Sequence, residues 1–180
     1  KRLGGAMAEC RMGNPCHLTT DIGPVIDSEA KANIERHIQT MRRKGRQVFQ
    51  AVRENSEDAR EWQSGTFVAP TLIELDDFAE LQKEVFGPVL HVVRYNRNQL
   101  PELIEQINAS GYGLTLGVHT RIDETIAQVT GSAHVGNLYV NRNMVGAVVG
   151  VQPFGGEGLS GTGPTAGGPL QPYRLLADRP

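Results

Sequence analysis

The sequence predicts an α/β fold with a largely parallel open sheet and crossover helices. Short apolar segments typical of strands alternate with segments of helical periodicity between Val89 and Asn141. The links between these segments are short, which is the pattern of crossover units on a parallel sheet. With 39% hydrophobic and 21% charged residues, the 180 residues suffice for one domain with an apolar core.

Helices are predicted where apolar residues recur every three or four positions. The predicted helices lie at residues 2–12, from 27 or 28 to 45, at 100–111 and around 122–129. The second begins at a cap formed by Asp27 or Ser28 and closes at Gly45. Pro101 lies in the first turn of the third, where its missing N–H costs little.

Strands are predicted where short apolar runs are bounded by turn residues. They lie at residues 48–52, 67–73, 89–93, 114–119 and 136–141. Pro70 cannot donate to a ladder, so the second strand is expected at an edge or beside a bulge. Val89–Val93 is a continuous apolar run of the kind found in buried strands. The polar segment Glu54–Ser64 is predicted to loop outward.

The stretch Gly136–Pro169 begins as a strand and continues as a loop rich in glycine. Glycine allows close approach of backbone to a ligand, so this loop is a candidate binding surface. Its segment Gly156–Gly161 matches the letters of the dinucleotide fingerprint. That fingerprint needs a preceding strand and a following helix, whereas Pro153 precedes the segment and Gly163-Pro164 follow it. We therefore interpret the segment as a surface loop.

Charge and hydropathy argue against a nucleic-acid-binding protein and against a membrane protein. The net charge is −2, and the basic cluster Arg42–Lys44 fits a helix C-terminus better than a nucleic-acid site. No apolar run approaches the roughly 18 residues of a membrane span, and no signal peptide is recognised. We expect a cytoplasmic protein without nucleic-acid or membrane contacts. Because the chain opens at Lys1 inside a predicted helix, we expect it to be a piece of a longer protein.

No self-contained catalytic or metal-binding set stands out. Cys10 and Cys16 are too few for a disulfide framework and lack metal-site spacing. The histidines also show no metal spacing; they are His17, His37, His91, His119 and His134. A hydrolase using Cys16 and His17 would lack a presenting turn and an orienting third group.

Two short segments are better candidates for binding. In Glu84–Pro88 a carboxylate stands beside a Gly-Pro turn, where it can accept hydrogen bonds from a ribose diol, or it is a solvated charge at a helix end. Gly146-Ala147 offers two backbone N–H groups as an anion pocket for a carboxylate, or forms a simple turn. Both alternatives stay open at this point.

Several segments resemble successive landmarks of the aldehyde dehydrogenase superfamily, in the family's order. They are Glu84–Pro88, Gly113–Arg121, Gly136–Arg142 and Gln152–Gly156. Thr20–Asp27 and Gly158–Pro169 more specifically resemble the pyrroline-5-carboxylate dehydrogenase module of the bacterial bifunctional proline utilization A enzymes. By this resemblance, residues 1–169 are the C-terminal portion of the catalytic domain. Residues 170–180 form a tail for oligomerisation or linkage.

The resemblance implies NAD-dependent oxidation of glutamate γ-semialdehyde, which arises from pyrroline-5-carboxylate, to glutamate in proline catabolism. Glu84 matches the family's ligand of the nicotinamide ribose, and Phe86 matches the ring near the nicotinamide. Gly146 and Ala147 match the backbone N–H groups that hold the substrate's α-carboxylate. Phe154 matches the aromatic wall along the aliphatic chain of the aldehyde.

The resemblance also implies what this chain lacks. The family's nucleophilic cysteine, which forms the thiohemiacetal, lies upstream, and neither Cys10 nor Cys16 matches it. We therefore expect no catalytic residue in this chain and no activity from the chain alone. Kinship further implies a homo-oligomer. The alternative is a non-catalytic binding or assembly module with an aldehyde dehydrogenase fold.

Overall fold

The computed structural model describes residues 2–51, 65–146, 154–161 and 172. The chain divides into two compact units, Lys1–Arg94 and Tyr95–Pro180. Each unit combines helices with paired strands, so the predicted α/β class is confirmed, and parallel and antiparallel pairs both occur. Within the described ranges, no helix is both long enough and apolar enough to cross a membrane.

The first unit packs helices against a three-stranded sheet. Its elements are α1 (Arg2–Glu9), α2 (Ser28–Arg43), β1 (Gln47–Gln50), β2 (Thr71–Leu75) and β3 (Val89–Val93). The strand order is β1-β2-β3. β1 runs antiparallel to β2, and β3 runs parallel to β2.

The core of the first unit lies between α2 and the sheet. Asp27 caps α2 as predicted, and its side chain accepts a hydrogen bond from the N–H of Ala30 at 2.7 Å. Helical spacing puts Ile34, Ile38 and Met41 on one buried face of α2. They form a core cluster with Val68, Ile73 and Leu75.

Two boundary predictions in this unit are wrong. The first helix ends at Glu9 rather than at residue 12, because Met12 forms a parallel bridge with Ile22. β2 is the central strand rather than an edge strand. It begins at Thr71, so Pro70 lies outside the ladder and its missing N–H is not needed there.

The predictions for β3 and for the loop Glu54–Ser64 have different outcomes. β3 has the predicted bounds but is only partly buried, since it is the last strand of the described sheet. The predicted loop Glu54–Ser64 lies outside the described residues.

The second unit contains the predicted strand, helix and strand crossover. Its helices are α3 (Leu100–Ala109) and α4 (Asp123–Ser132), and its strands are β4 (Tyr112–Gly113), β5 (Thr115–Val118), β6 (Asn137–Val140) and β7 (Glu157–Gly158). β5 and β6 are parallel and are joined through α4. β4 and β7, which were not predicted, pair antiparallel over two residues each.

Candidate functional site

Glu84 and Phe86 lie in the first unit, in the segment just before β3. Val85 between them packs against the core of that unit. Neighbouring side chains of an extended segment point in opposite directions, so Glu84 and Phe86 face solvent. Phe86 is 78% exposed, and Glu84 is exposed and makes no hydrogen bond or ion pair to the described residues. The segment thus presents an unpaired carboxylate and an uncovered ring together.

The Gly-Pro end of this segment anchors it to the unit. Gly87 has φ +152°, and a Cβ there would lie 2.5 Å from Cδ1 of Ile34 on α2. Only glycine therefore fits without displacing a core side chain. The carbonyl oxygen of Pro88 accepts a hydrogen bond from the N–H of Thr71 at 2.8 Å. Glu84 and Phe86 are in this way held by both α2 and β2.

The chain following β6 leads to Gly146, one of the two residues predicted to bind a carboxylate. Asn141 has φ +55°, a conformation that asparagine tolerates better than most residues. Its Oδ1 accepts from the N–H of Thr120 at 2.9 Å, and its Nδ2 donates to the Thr120 carbonyl at 2.8 Å. Beyond it, the side chain of Met144 packs so closely on Gly117 of β5 that a Cβ there would overlap its sulfur. The chain therefore turns back over the β5–β6 pair.

Gly146 is the last described residue after this turn. The N–H of Val145 donates to Oδ1 of Asn143 at 2.7 Å, whereas the N–H of Gly146 has no acceptor among the described residues. Gly146 is exposed, and nothing lies within 4 Å of a Cβ built on it. The predicted partner, Ala147, lies outside the described residues.

Sequence reasoning missed two residues of this turn. Asn143 shapes it through the bond to Val145, a local turn that asparagine favours and that could have been anticipated. The Arg142 guanidinium stacks 4.7 Å from the centre of the Tyr139 ring, and its Nε donates to the carbonyl of Asn143 at 3.2 Å. The turn therefore carries a positive charge held in place by cation–π contact.

Phe154 precedes a backbone segment that is packed tightly on β4 and β6. The ring is 39% exposed. The carbonyl of Gly155, the next residue, accepts a hydrogen bond from Nδ2 of Asn137 on β6 at 3.0 Å. A Cβ on Gly136 would overlap that same carbonyl, so close backbone packing requires glycine there.

Residues 156–161 are not a dinucleotide loop. Glu157–Gly158 form β7, the N–H of Leu159 donates to the carbonyl of Gly111 at 2.8 Å, and Leu159 and Ser160 form a turn. No helix begins within residues 156–161, so these residues do not show the strand, turn and helix that the fingerprint requires. A dinucleotide-binding fingerprint lies in a turn that joins a strand to a following helix.

The remaining candidate groups form no second site in the described part of the chain. No cluster of at least three His, Cys, Asp or Glu with metal-binding geometry is found there. Cys16 is exposed, and its N–H bonds Oδ1 of Asn14 at 2.9 Å, while the N–H of His17 bonds the Asn14 backbone carbonyl at 3.0 Å. No hydrogen bond links the side chains of Cys16 and His17, so the hydrolase interpretation gains no support.

The predicted residues fall into two pairs. Glu84 and Phe86 belong to the first compact unit, and Gly146 and Phe154 belong to the second. Within the second unit, Gly155 contacts the first residue of β6, and Gly146 follows the turn that leads back from its last residue.

Comparison with known proteins gives the family. A sequence profile described as "Aldehyde dehydrogenase family" matches residues 1–173. The chain belongs to the aldehyde dehydrogenase family. It is 94% identical over all 180 residues to "Bifunctional protein PutA" of Escherichia coli K12, and it spans 14% of that protein's length. It is also 40% identical over 160 residues to "1-pyrroline-5-carboxylate dehydrogenase 1" of Halalkalibacterium halodurans, covering 29% of it.

Solved structures similar to this chain come from the same family of proteins. A proline utilization A variant from Bradyrhizobium japonicum matches 96% of this chain and 17% of its own, with TM-score 0.84 and 48% identity. A 1-pyrroline-5-carboxylate dehydrogenase from Thermus, solved with bound NAD, matches 89% of this chain and 30% of its own, with TM-score 0.73 and 37% identity. The resemblance predicted from the motifs is thereby confirmed. This aldehyde dehydrogenase chain spans less than a third of each of these relatives.

Proposed function

We propose that this chain belongs to an NAD-dependent pyrroline-5-carboxylate dehydrogenase, which oxidises glutamate γ-semialdehyde to glutamate in proline catabolism. The observation that carries the proposal is the 94% identity to a bifunctional PutA protein along the whole chain. The order of the motifs supports placing residues 1–169 in the C-terminal portion of the catalytic domain, with residues 170–180 as its tail.

Glu84 and Phe86 are the proposed contacts for NAD. The Glu84 carboxylate is exposed and has no partner among the described residues, so it is free to accept hydrogen bonds from ribose hydroxyls. Phe86 is 78% exposed, and a nicotinamide packed on the ring would remove apolar area from water. When bound, NAD supplies the acceptor for the hydride that leaves the substrate.

Gly146, Ala147 and Phe154 are the proposed contacts for the substrate. The N–H of Gly146, which has no acceptor among the described residues, suits a carboxylate, since consecutive backbone N–H groups in a turn make anion sites. Ala147 is proposed for the second N–H. The partly exposed ring of Phe154 is proposed to line the aliphatic chain between carboxylate and aldehyde.

The chain orients the substrate without supplying the nucleophile. We propose that the cysteine that attacks the aldehyde lies in another part of the longer enzyme, and that Cys10 and Cys16 have no role in the reaction. We also propose that the enzyme is a homo-oligomer, as the family resemblance implies.

NADH formation tests the proposal. The longer enzyme is mixed with NAD and glutamate γ-semialdehyde, NADH absorbance is followed, and the 180-residue chain alone is assayed in parallel. We expect turnover by the enzyme and none by the chain alone. A longer enzyme that is folded and binds NAD but forms no NADH would contradict the proposal and support the alternative of a non-catalytic module.

A further inference from the structure

We propose that Asn137 is a positioning residue for substrate binding. Its buried carboxamide holds the carbonyl of Gly155 and thereby sets the position of the Phe154 ring. This inference rests on the proposed function, because Phe154 is there assigned to the aliphatic chain of the substrate.

The Asn137 carboxamide bridges two backbone segments. Asn137 begins β6 and is 3% exposed. Its Nδ2 donates to the carbonyls of Leu114 and Gly155, each at 3.0 Å, so both amide hydrogens are used. The Leu114 carbonyl also accepts from the N–H of Asn137. The Gly155 carbonyl accepts no other hydrogen bond within the described ranges, so this side chain, together with the close packing of Gly136, fixes its position.

The oxygen of the same carboxamide argues against a purely stabilising role. Oδ1 of Asn137 is buried and receives no hydrogen bond from the described residues. Flipping the amide would place this oxygen against two carbonyl oxygens, so its orientation is determined by the two donated bonds. A buried acceptor without a donor costs stability, and this cost offsets part of what the two donated bonds contribute. The asparagine is therefore explained better by where it holds Gly155.

The segment that Asn137 holds is short and tied down at its far end as well. Oγ of Ser160 accepts from the N–H of Gly113 at 3.0 Å, and a Cβ on Gly156 would lie 2.6 Å from the Ser160 Cβ. Phe154 is bonded directly to Gly155, outside this packed region. A shift of the Gly155 carbonyl is therefore transmitted to the Phe154 ring.

Asn137→Leu in the longer enzyme tests the inference. This variant removes the unpaired Oδ1 but leaves the Gly155 carbonyl without its donor, so we expect a modest fall in its melting temperature. We expect the KM for glutamate γ-semialdehyde to rise about five-fold, the factor that one ordinary hydrogen bond is worth. The KM for NAD should stay unchanged. Asn137→Ala, which cannot overpack the site, serves as a second variant.

Asn108→Ala is the matched control. The Asn108 side chain donates to the Ser132 carbonyl at 2.8 Å and accepts from the N–H of His134 at 2.9 Å, and it makes no bond to residues 154–161. Loss of these two bonds should lower the melting temperature without changing either KM. Equal KM changes in the Asn137 and Asn108 variants would show that Asn137 acts only through stability.

Hydrogen exchange separates this inference from the proposed function, because it needs no turnover. Amide exchange across residues 155–161 should quicken in Asn137→Leu and stay as in wild type in Asn108→Ala. If the wild-type enzyme forms no NADH yet exchange behaves this way, the proposed function fails. The role of Asn137 in holding Gly155 would then still be supported. If the wild-type enzyme is active but neither exchange nor the aldehyde KM changes in the Asn137 variants, the inference is overturned.

Discussion

Nε2 of His37 on α2 lies 2.8 Å from Nε2 of His91 on β3. The rings meet edge to face with centroids 5.0 Å apart, so one neutral ring donates and the other accepts. Burial, followed by the charges of Lys83 and Lys44, lowers the pKa of His37. Burial, followed by His37 itself, lowers the pKa of His91. The bond joins α2, which packs on Gly87, to β3, the strand that follows the Glu84–Pro88 segment.

The histidine pair predicts a loss of stability on the acid side. Because both pKa values are lowered in the folded state, the unfolded chain binds more protons, and stability falls as pH drops below the unfolded value of about 6.5. We expect the melting temperature of the longer enzyme to fall more between pH 7.5 and 5.5 in wild type than in His37→Gln/His91→Gln. Parallel curves for the two proteins would contradict this prediction.

Glu84→Gln tests the proposed ribose contact. The amide keeps the shape of the side chain but removes the charge, and hydrogen bonds to a charged group are worth about 1.5–3 kcal/mol. We expect the KM and Kd for NAD to rise roughly ten-fold or more, with little change in the KM for the aldehyde. Glu35→Gln, on the exposed side of α2, is the matched control and should leave NAD binding unchanged. Equal effects of the two variants would exclude a specific contact at Glu84.

Gly87→Ala should destabilise the enzyme for two separable reasons. At φ +152° an alanine is strained, and its Cβ would meet Cδ1 of Ile34. We expect a loss of about 1–3 kcal/mol of unfolding free energy. Gly45→Ala reports strain alone, because Gly45 has φ +78° but nothing within 4 Å of a built Cβ.

A double variant isolates the steric part of this effect. Ile34→Val removes the Cδ1 atom that the new Cβ would contact. Denaturant unfolding of Gly87→Ala, Ile34→Val and the double variant should therefore give a favourable coupling energy. If the losses of unfolding free energy in the two single variants add up to the loss in the double variant, Ile34 moves aside without cost.

Local patterns predicted local features of the fold. The Asp27 cap, the bounds of β3 and the α4 crossover follow from periodicity and capping chemistry in neighbouring residues. The edge-strand prediction made from Pro70 was wrong. The sequence around a proline does not show whether it lies just before a central strand or within an edge strand. β4 and β7 are two-residue strands whose pairing joins distant parts of the chain, so no periodicity marks them.

In the candidate site, too, features set by distant contacts could not be predicted from the sequence. The roles of Glu84 and Phe86 came from the family resemblance, because Val85 and Phe86 are adjacent apolar residues and the sequence does not show which of them faces solvent. The glycines were interpreted as places for a ligand to approach, whereas Gly136 and Gly156 are needed where backbone packs on backbone. The bond from Asn137 to Gly155 spans 18 residues, and such a contact depends on the tertiary fold.

Gly146 allows the most direct test of the anion pocket. Nothing lies within 4 Å of a Cβ there, so Gly146→Ala should keep a near-normal KM for glutamate γ-semialdehyde. Gly146→Pro removes the N–H itself, and the loss of one hydrogen bond to a carboxylate, about 1.5–3 kcal/mol, should raise that KM at least ten-fold. Propanal has no carboxylate, so its oxidation by the same two variants should differ little. If Gly146→Pro impairs both aldehydes equally, the proline has disturbed the turn and the N–H of Gly146 is not the group that binds the carboxylate.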